Sequence, residues 1–352
     1  MNPNAPKGTS HAYASSVVWP ADAACKPSFM VIGAPKSGST SLFTYLAEHP
    51  QVQRPAVKEA CFFSPFKRSM QFRQSTAPSR SWSLYTAGFA GADAFSQAVA
   101  GLPVEDIAVR EPGRGFARGG RLLFEQEARG RGRGRSRGRG RGRRQWRPEV
   151  ASAAAAACAS GERRAFEACP FYLGEPGAAW AVRRVFPEIR LVGVLRNPRE
   201  RTVSAFNDYA RMGRIRGAGT TAAAMEVLIK EKVALVRSGQ RSLEDFDVRM
   251  LTTGVYIHGL RAWGEAFPAA QLLLLRTEDL AQSPEASMAA VQRFLGLSAS
   301  GRSDWSHHNA NRGRRAAASA AVNATLDEFF APYNEQLYTW ARARGIPFAR
   351  WV

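Results

Sequence analysis

Short apolar runs that stop at glycine or proline alternate along this chain with stretches of helical spacing. Phe29 to Ile32 lies between Pro27 and Gly33 and is too short for a helix, so it predicts a buried strand. Ile189 to Leu195 and Gln271 to Leu275 predict two more. Apolar positions recur at helical spacing over 177–186, 220–237, 255–267, 285–295 and 322–344. Within these, Tyr256, Trp263 and Phe267 read as core aromatics rather than sugar platforms. Strands alternating with helices predict an α/β fold. The helix at 177–186 leads into the Leu191 strand as a strand-helix-strand unit with a right-handed crossover, and ligands of such sheets bind at the strands' carboxyl ends.

The loop after the first strand is chemically specific. Gly33-Ala34-Pro35-Lys36-Ser37-Gly38-Ser39-Thr40-Ser41 joins two glycines, which let the backbone turn tightly, to hydroxyls at the first turn of a helix. A helix start of this kind attracts phosphate. The Gly33 to Gly38 spacing matches the nucleotide P-loop, but Ser39 stands where that motif has lysine, and Lys36 sits inside the turn instead. No Mg²⁺-ATP arrangement is therefore implied. A glycine-rich turn without a ligand is the plain alternative.

The Leu191 strand runs directly into Arg196-Asn197-Pro198-Arg199-Glu200-Arg201-Thr202-Val203-Ser204, with Pro198 suited to the first position of a helix. Arg196 at the strand end and Ser204 two turns along the helix can converge on one anion, the guanidinium as a fork and the hydroxyl as donor. A surface arginine beside a helix cap is the simpler reading of the same residues.

Together the two stretches resemble the cofactor signatures of sulfotransferases that use 3′-phosphoadenosine-5′-phosphosulfate, and within that family the carbohydrate, heparan-sulfate-type branch. The resemblance implies a P-loop-type three-layer α/β/α fold with a central, mainly parallel sheet. It implies that Lys36, Ser37, Gly38, Ser39, Thr40 and Ser41 hold the 5′-phosphosulfate and that Arg196 and Ser204 hold the 3′-phosphate. Lys58-Glu59-Ala60-Cys61-Phe62-Phe63 is similar to the branch's lysine-glutamate-phenylalanine motif, which makes Glu59 the general base and Lys58 its assistant. Cys169-Pro170-Phe171-Tyr172 resembles a serine-proline-x-tyrosine stretch lining the cleft, with Cys169 in place of serine. Arg312, Gly313 and Arg314 stand where the branch carries a lysine-glycine-arginine loop over the cofactor, without its flanking cysteine pair. The likeness continues through Gly254-Val255-Tyr256, Glu278-Asp279-Leu280, Phe294-Leu295-Gly296-Leu297 and Leu326 to Leu337. It further implies a carbohydrate acceptor, no metal, and the Golgi lumen, with a cytoplasmic location left open.

Composition adds the rest. At 352 residues and 45% hydrophobic, the chain is long enough for one large core, expected over residues 28–345 between a disordered leader at 1–27 and a tail at 346–352. The leader has no apolar run long enough to span a membrane. The formal charge is +20, and the alternating Arg-Gly run from Arg129 to Arg144 holds nine arginines of it. That run cannot bury a core, so about 113–150 is expected to be a low-complexity insertion, open to RNA, to an anionic polysaccharide, or to no partner at all.

Cys25, Cys61, Cys158 and Cys169 have no metal-ligand spacing and specify no redox compartment; Cys61 reads as a packing residue, and a Cys158–Cys169 pairing stays open. His49 reads as the end of the first helix. Asn323-Ala324-Thr325 is a glycosylation sequon if the chain is secretory. Two other functions compete with sulfuryl transfer: a P-loop kinase, opposed by Ser39, and an RNA- or polyanion-binding protein acting through the Arg-Gly run.

Overall fold

A computed structural model describes residues 25–55, 59–64, 156–158, 160–215, 221–299, 305 and 316–351. Residues 1–24 of the expected leader, the Arg129–Arg144 run, Lys58, Arg312, Gly313 and Arg314 lie outside the described residues.

The sheet has five parallel strands in the order β2-β3-β1-β4-β5. They are β1 Pro27–Gly33, β2 Val52–Gln53, β3 Arg164–Ala168, β4 Arg190–Leu195 and β5 Leu272–Arg276. The described helices are α1 Ser39–Ala47, α2 Pro176–Val185, α3 Pro198–Arg211, α4 Ala222–Arg237, α5 Arg249–Thr252, α6 Tyr256–Ala266, α7 Thr277–Gln282, α8 Pro284–Leu295 and α9 Ala320–Ala343.

Because side chains alternate across a strand, the buried run of β1 serves both faces. Met30 and Ile32 join a cluster with α2, α3, α4, α6 and α9, while Phe29 and Val31 join another with α1 and α8. Phe29 stacks on Phe166 of β3 with centroids 5.0 Å apart. Each such buried side chain contributes roughly 1.5–3 kcal/mol. The result is the three-layer α/β/α arrangement expected, with a wholly parallel sheet among the described strands. Tyr256, Trp263 and Phe267 are core residues, at most 3% exposed.

The structure corrects the expectation in four places. β3 has no counterpart in the apolar pattern; it precedes α2, and the chain crosses over β1 to reach β4. Cys158 pairs with Cys25 rather than Cys169, and Cys61 is no mere packing residue, since it pairs with Cys169. Cys25 is buried, and Pro27 opens β1, so the end of the expected leader belongs to the fold. At the other end Ile346 is buried and Trp351 donates its indole N–H to Glu278 (3.2 Å), so residues 346–351 are packed into the fold rather than forming a tail.

His49 follows α1 and is buried, its Nδ1 accepting from the Gln51 amide (3.1 Å), as suits a residue closing a helix. Asn323 and Thr325 of the sequon lie inside α9, with the Thr325 hydroxyl donating to the Ala321 carbonyl (2.8 Å).

Candidate active site at the carboxyl ends of three adjacent strands

The strand order puts three chain segments side by side. β1 sits between β3 and β4, so the loop after β1 is flanked by the residues that leave β3 and by those that leave β4.

The central loop is the Gly33–Gly38 turn. Gly38 caps α1 at φ 82°, a left-handed conformation natural to glycine. No side chain caps α1 and its first turn carries no acidic residue, so the positive helix end is left for an external anion. The Ser37 hydroxyl is buried beside the Tyr256 phenol yet makes no well-aligned hydrogen bond to any protein group, and it is available to an anion's oxygen. Ser39 and Ser41 are buried and Thr40 half-buried in the first turn.

On the β4 side, Asn197 caps α3 by accepting from the Arg199 amide (3.0 Å), and Pro198 takes the first helical position. Arg196 and Ser204 are both half-buried, and Arg196 lies 3.4 Å from Glu200. Loop and α3 meet directly: Lys36 Nζ is 3.2 Å from Asp208, one helical turn beyond Ser204 and on the same face. Burial alone would raise the Asp208 pKa, but the hydrogen bond from Arg211 and the charge of Lys36 outweigh it and hold the carboxyl below the ordinary aspartate range.

Several residues outside the expected set of site residues fasten these two segments together. Arg201 of α3 is 2% exposed and donates from Nε to the Pro35 carbonyl of the loop (3.3 Å) and from a terminal nitrogen to the Met250 carbonyl. Burial lowers its pKa against the opposing pull of Tyr256 and Tyr209, yet a guanidinium stays charged in a protein. The Thr277 hydroxyl lies within reach of both the Ser37 carbonyl (2.7 Å) and the Leu195 carbonyl (3.0 Å), bridging the loop to the end of β4. Tyr256 donates to the Arg196 carbonyl (2.8 Å), and burial lifts its phenol above the ordinary range against the charge of Arg201. Glu278 accepts from the Asn197 amide (2.8 Å). Tyr256 and Glu278 stand in the family-like stretches Gly254-Val255-Tyr256 and Glu278-Asp279-Leu280, but nothing in those stretches marks the contacts the two residues make.

On the β3 side, the Cys61–Cys169 disulfide attaches the Glu59 segment one residue beyond β3, with Cα atoms 5.1 Å apart. Cys169 donates its amide to the Val31 carbonyl of β1 (3.0 Å). Glu59 is two residues from Cys61, a reach of at most ~7 Å, so its backbone is confined to the same sheet edge as the loop. Among the described residues the non-glycine positions at positive φ are Lys36 (68°), Glu59 (60°) and Cys61 (51°). Each costs about 1–2 kcal/mol, and all three belong to this edge.

Comparison with known proteins bears on the family and the fold. The family model for the sulfotransferase domain matches residues 26–312. The chain is 26% identical over 113 residues to the human bifunctional heparan sulfate N-deacetylase/N-sulfotransferase 2, covering 32% of this chain and 12% of that protein. It is 24% identical over 132 residues to bifunctional heparan sulfate N-deacetylase/N-sulfotransferase 1 of Caenorhabditis elegans, covering 38% and 14%. The match thus spans about an eighth of these curated relatives. Its fold is similar to that of a sulfotransferase from Alicyclobacillus acidocaldarius, with a TM-score of 0.54, 21% identity, and coverage of 92% of this chain and 98% of that one. With a family match over most of its length and a parallel α/β sheet, the chain belongs to the sulfotransferase domain family.

Proposed function

We propose that the chain moves a sulfuryl group from 3′-phosphoadenosine-5′-phosphosulfate to a hydroxyl or amine of a carbohydrate, with Glu59 as general base. The observation that carries this reading is the strand-end arrangement: a capless phosphate loop on β1, Arg196 on one flank and the Glu59 segment on the other. The donor supplies the sulfuryl group and a nucleotide leaving group. Lys36, the Ser37 hydroxyl and the first turn of α1 hold its 5′ side and face the charge that develops on the bridging oxygen. Arg196 and Ser204 take the 3′-phosphate, a preference that excludes ATP. Glu59 accepts the proton of the attacking hydroxyl or amine as the new bond to sulfur forms, a role worth typically 10²–10⁴-fold. In this reading Lys58 assists Glu59, and Arg312, Gly313 and Arg314 close over the nucleotide.

The heparan-type acceptor rests on the names of the curated relatives, and the surplus of basic residues suits an acidic polysaccharide. The two disulfides support an oxidising compartment, in keeping with the Golgi lumen. No described helix is long and apolar enough to cross a membrane. Ser39 opposes the kinase reading, because the phosphate-facing lysine of that motif is missing.

The test is transfer of labelled sulfate from the donor to three acceptors: an N-deacetylated heparan-type polysaccharide, its N-acetylated form, and a simple phenol. Labelling of a polysaccharide that falls at least 100-fold in Glu59→Gln is the expected result. Transfer to the phenol alone removes the carbohydrate assignment, and a fully active Glu59→Gln removes the base.

A further inference from the structure

Several ties hold the Glu59–Ser64 segment to the body of the fold, among them an edge-on contact of Phe63 with Phe186. Cys61 is bonded to Cys169. The Phe63 amide donates to the Tyr172 hydroxyl (3.0 Å), which in turn donates to the buried Glu167 of β3 (2.5 Å). The Ser64 hydroxyl donates to the buried Glu175 (2.9 Å). Of these ties the disulfide is the nearest to Glu59, and it is the one placed within the left-handed stretch. Non-glycine residues at positive φ persist only where their surroundings over-determine them, and both Glu59 (60°) and Cys61 (51°) are of that kind.

The donor site is fastened by other means. Its loop and the Arg196 turn are held by Arg201, Thr277, Tyr256 and Glu278, none of which belongs to the 59–64 segment.

We propose that Cys61 and Cys169 are positioning residues for the base: their disulfide holds Glu59 at the sheet edge, so turnover depends on it while nucleotide binding does not. The proposal rests on the reading of Glu59 as general base. A dithiol that delivers two electrons and two protons to the bond leaves two thiols and its own cyclic disulfide. The Glu59 backbone then relaxes toward ordinary φ and the carboxylate leaves the acceptor's reach. Both cysteines are fully buried, so only a strong reductant acts on the folded protein.

The experiment compares the Cys61→Ala/Cys169→Ser double variant with wild type, Glu59→Gln and Cys25→Ala/Cys158→Ala. The readouts are kcat for sulfuryl transfer and Kd for 3′-phosphoadenosine-5′-phosphate. The expected result is a kcat at least tenfold lower in the Cys61/Cys169 variant with Kd within twofold of wild type, and kcat unchanged in the Cys25/Cys158 variant. In parallel, wild type is reduced with dithiothreitol and reoxidised with glutathione disulfide while alkylation and mass spectrometry follow the Cys61–Cys169 peptide. Activity should fall and return in step with that bond, and this arm decides the matter if the double variant does not fold. Wild-type kcat in the double variant, or in the reduced protein, overturns the positioning role while an inactive Glu59→Gln leaves the base intact. Loss of nucleotide binding together with turnover overturns it as well, since that is a structural role. An active Glu59→Gln overturns the underlying base reading instead.

Discussion

Lys36 of the phosphate loop and Asp208 of α3 lie 3.2 Å apart, with Arg211 hydrogen-bonded to the other side of the same carboxylate (2.7 Å). The pair fixes the one lysine of the loop over the helix face that carries Ser204. Because Asp208 titrates below the ordinary aspartate value, its contribution to stability is fully present above that value and is lost as pH falls through the lowered one. Asp208→Asn should therefore destabilise the protein by about 1 kcal/mol at neutral pH and by less in acid, below the ordinary aspartate range. Urea unfolding under both conditions measures this; a difference that does not change with pH would contradict it.

Arg201 links α3 to the loop through the Pro35 carbonyl and to α5 through the Met250 carbonyl. A charged hydrogen bond contributes about 1.5–3 kcal/mol, so Arg201→Met should lower stability by roughly 2–4 kcal/mol. Affinity for 3′-phosphoadenosine-5′-phosphate should weaken with it, because the loop loses its brace. Calorimetric titration of the variant at a temperature where it stays folded is the check. Unchanged affinity would mean that the loop holds its shape without α3.

Glu278 accepts from the Asn197 amide with one oxygen and from the Trp351 indole with the other. Glu278→Gln turns one of these acceptors into a donor facing a donor. It should reduce nucleotide affinity several-fold, whereas Trp351→Phe removes one hydrogen bond to the carboxylate, about 1.5–3 kcal/mol, and should lower the melting temperature more than the affinity. Equal effects of the two on affinity would show that the C-terminal residues act on the donor site as strongly as Glu278 does.

Gly259 in α6 faces the turn after β3, and a Cβ there would stand 1.7 Å from the Leu173 carbonyl oxygen and 2.7 Å from its carbon. Backbone cannot yield as a side-chain tip does, so Gly259→Ala should destabilise by about 3 kcal/mol or more. Gly213→Ala, at φ 66° in open space, should cost only about 1–2 kcal/mol. Melting temperatures of the two variants give the comparison, and a milder effect at Gly259 would contradict the tight α6 contact.

The parts of this fold that are legible in the sequence are those where an apolar run ends abruptly. β1 stops at Gly33 and β4 meets Pro198, so both anion motifs and the helices after them can be placed from spacing alone. β3 escapes because it is short and carries Glu167, a carboxylate at a buried position that accepts from the Tyr172 hydroxyl outside the strand. The cysteine pairs escape for a related reason: partners 133 and 108 residues apart are chosen by the sheet, not by spacing. Arg201 reads as one more arginine on a polar helix face, although that face is turned toward the loop. Tyr256 is legible as core, while its hydroxyl on the Arg196 carbonyl depends on where β4 ends.

Sulfuryl transfer requires the donor site, and ligand-dependent thermal stability probes that site without any acceptor. Wild type and Arg196→Ala are melted with 3′-phosphoadenosine-5′-phosphate and with Mg²⁺-ATP. A ligand that binds only the folded state at 100 times its Kd stabilises by about 2.7 kcal/mol, a shift of several degrees. That shift is expected with the 3′-phosphorylated nucleotide, with little from Mg²⁺-ATP, and it should be lost in Arg196→Ala. A larger shift with Mg²⁺-ATP, or one that survives the substitution, would rule out a 3′-phosphate site at Arg196.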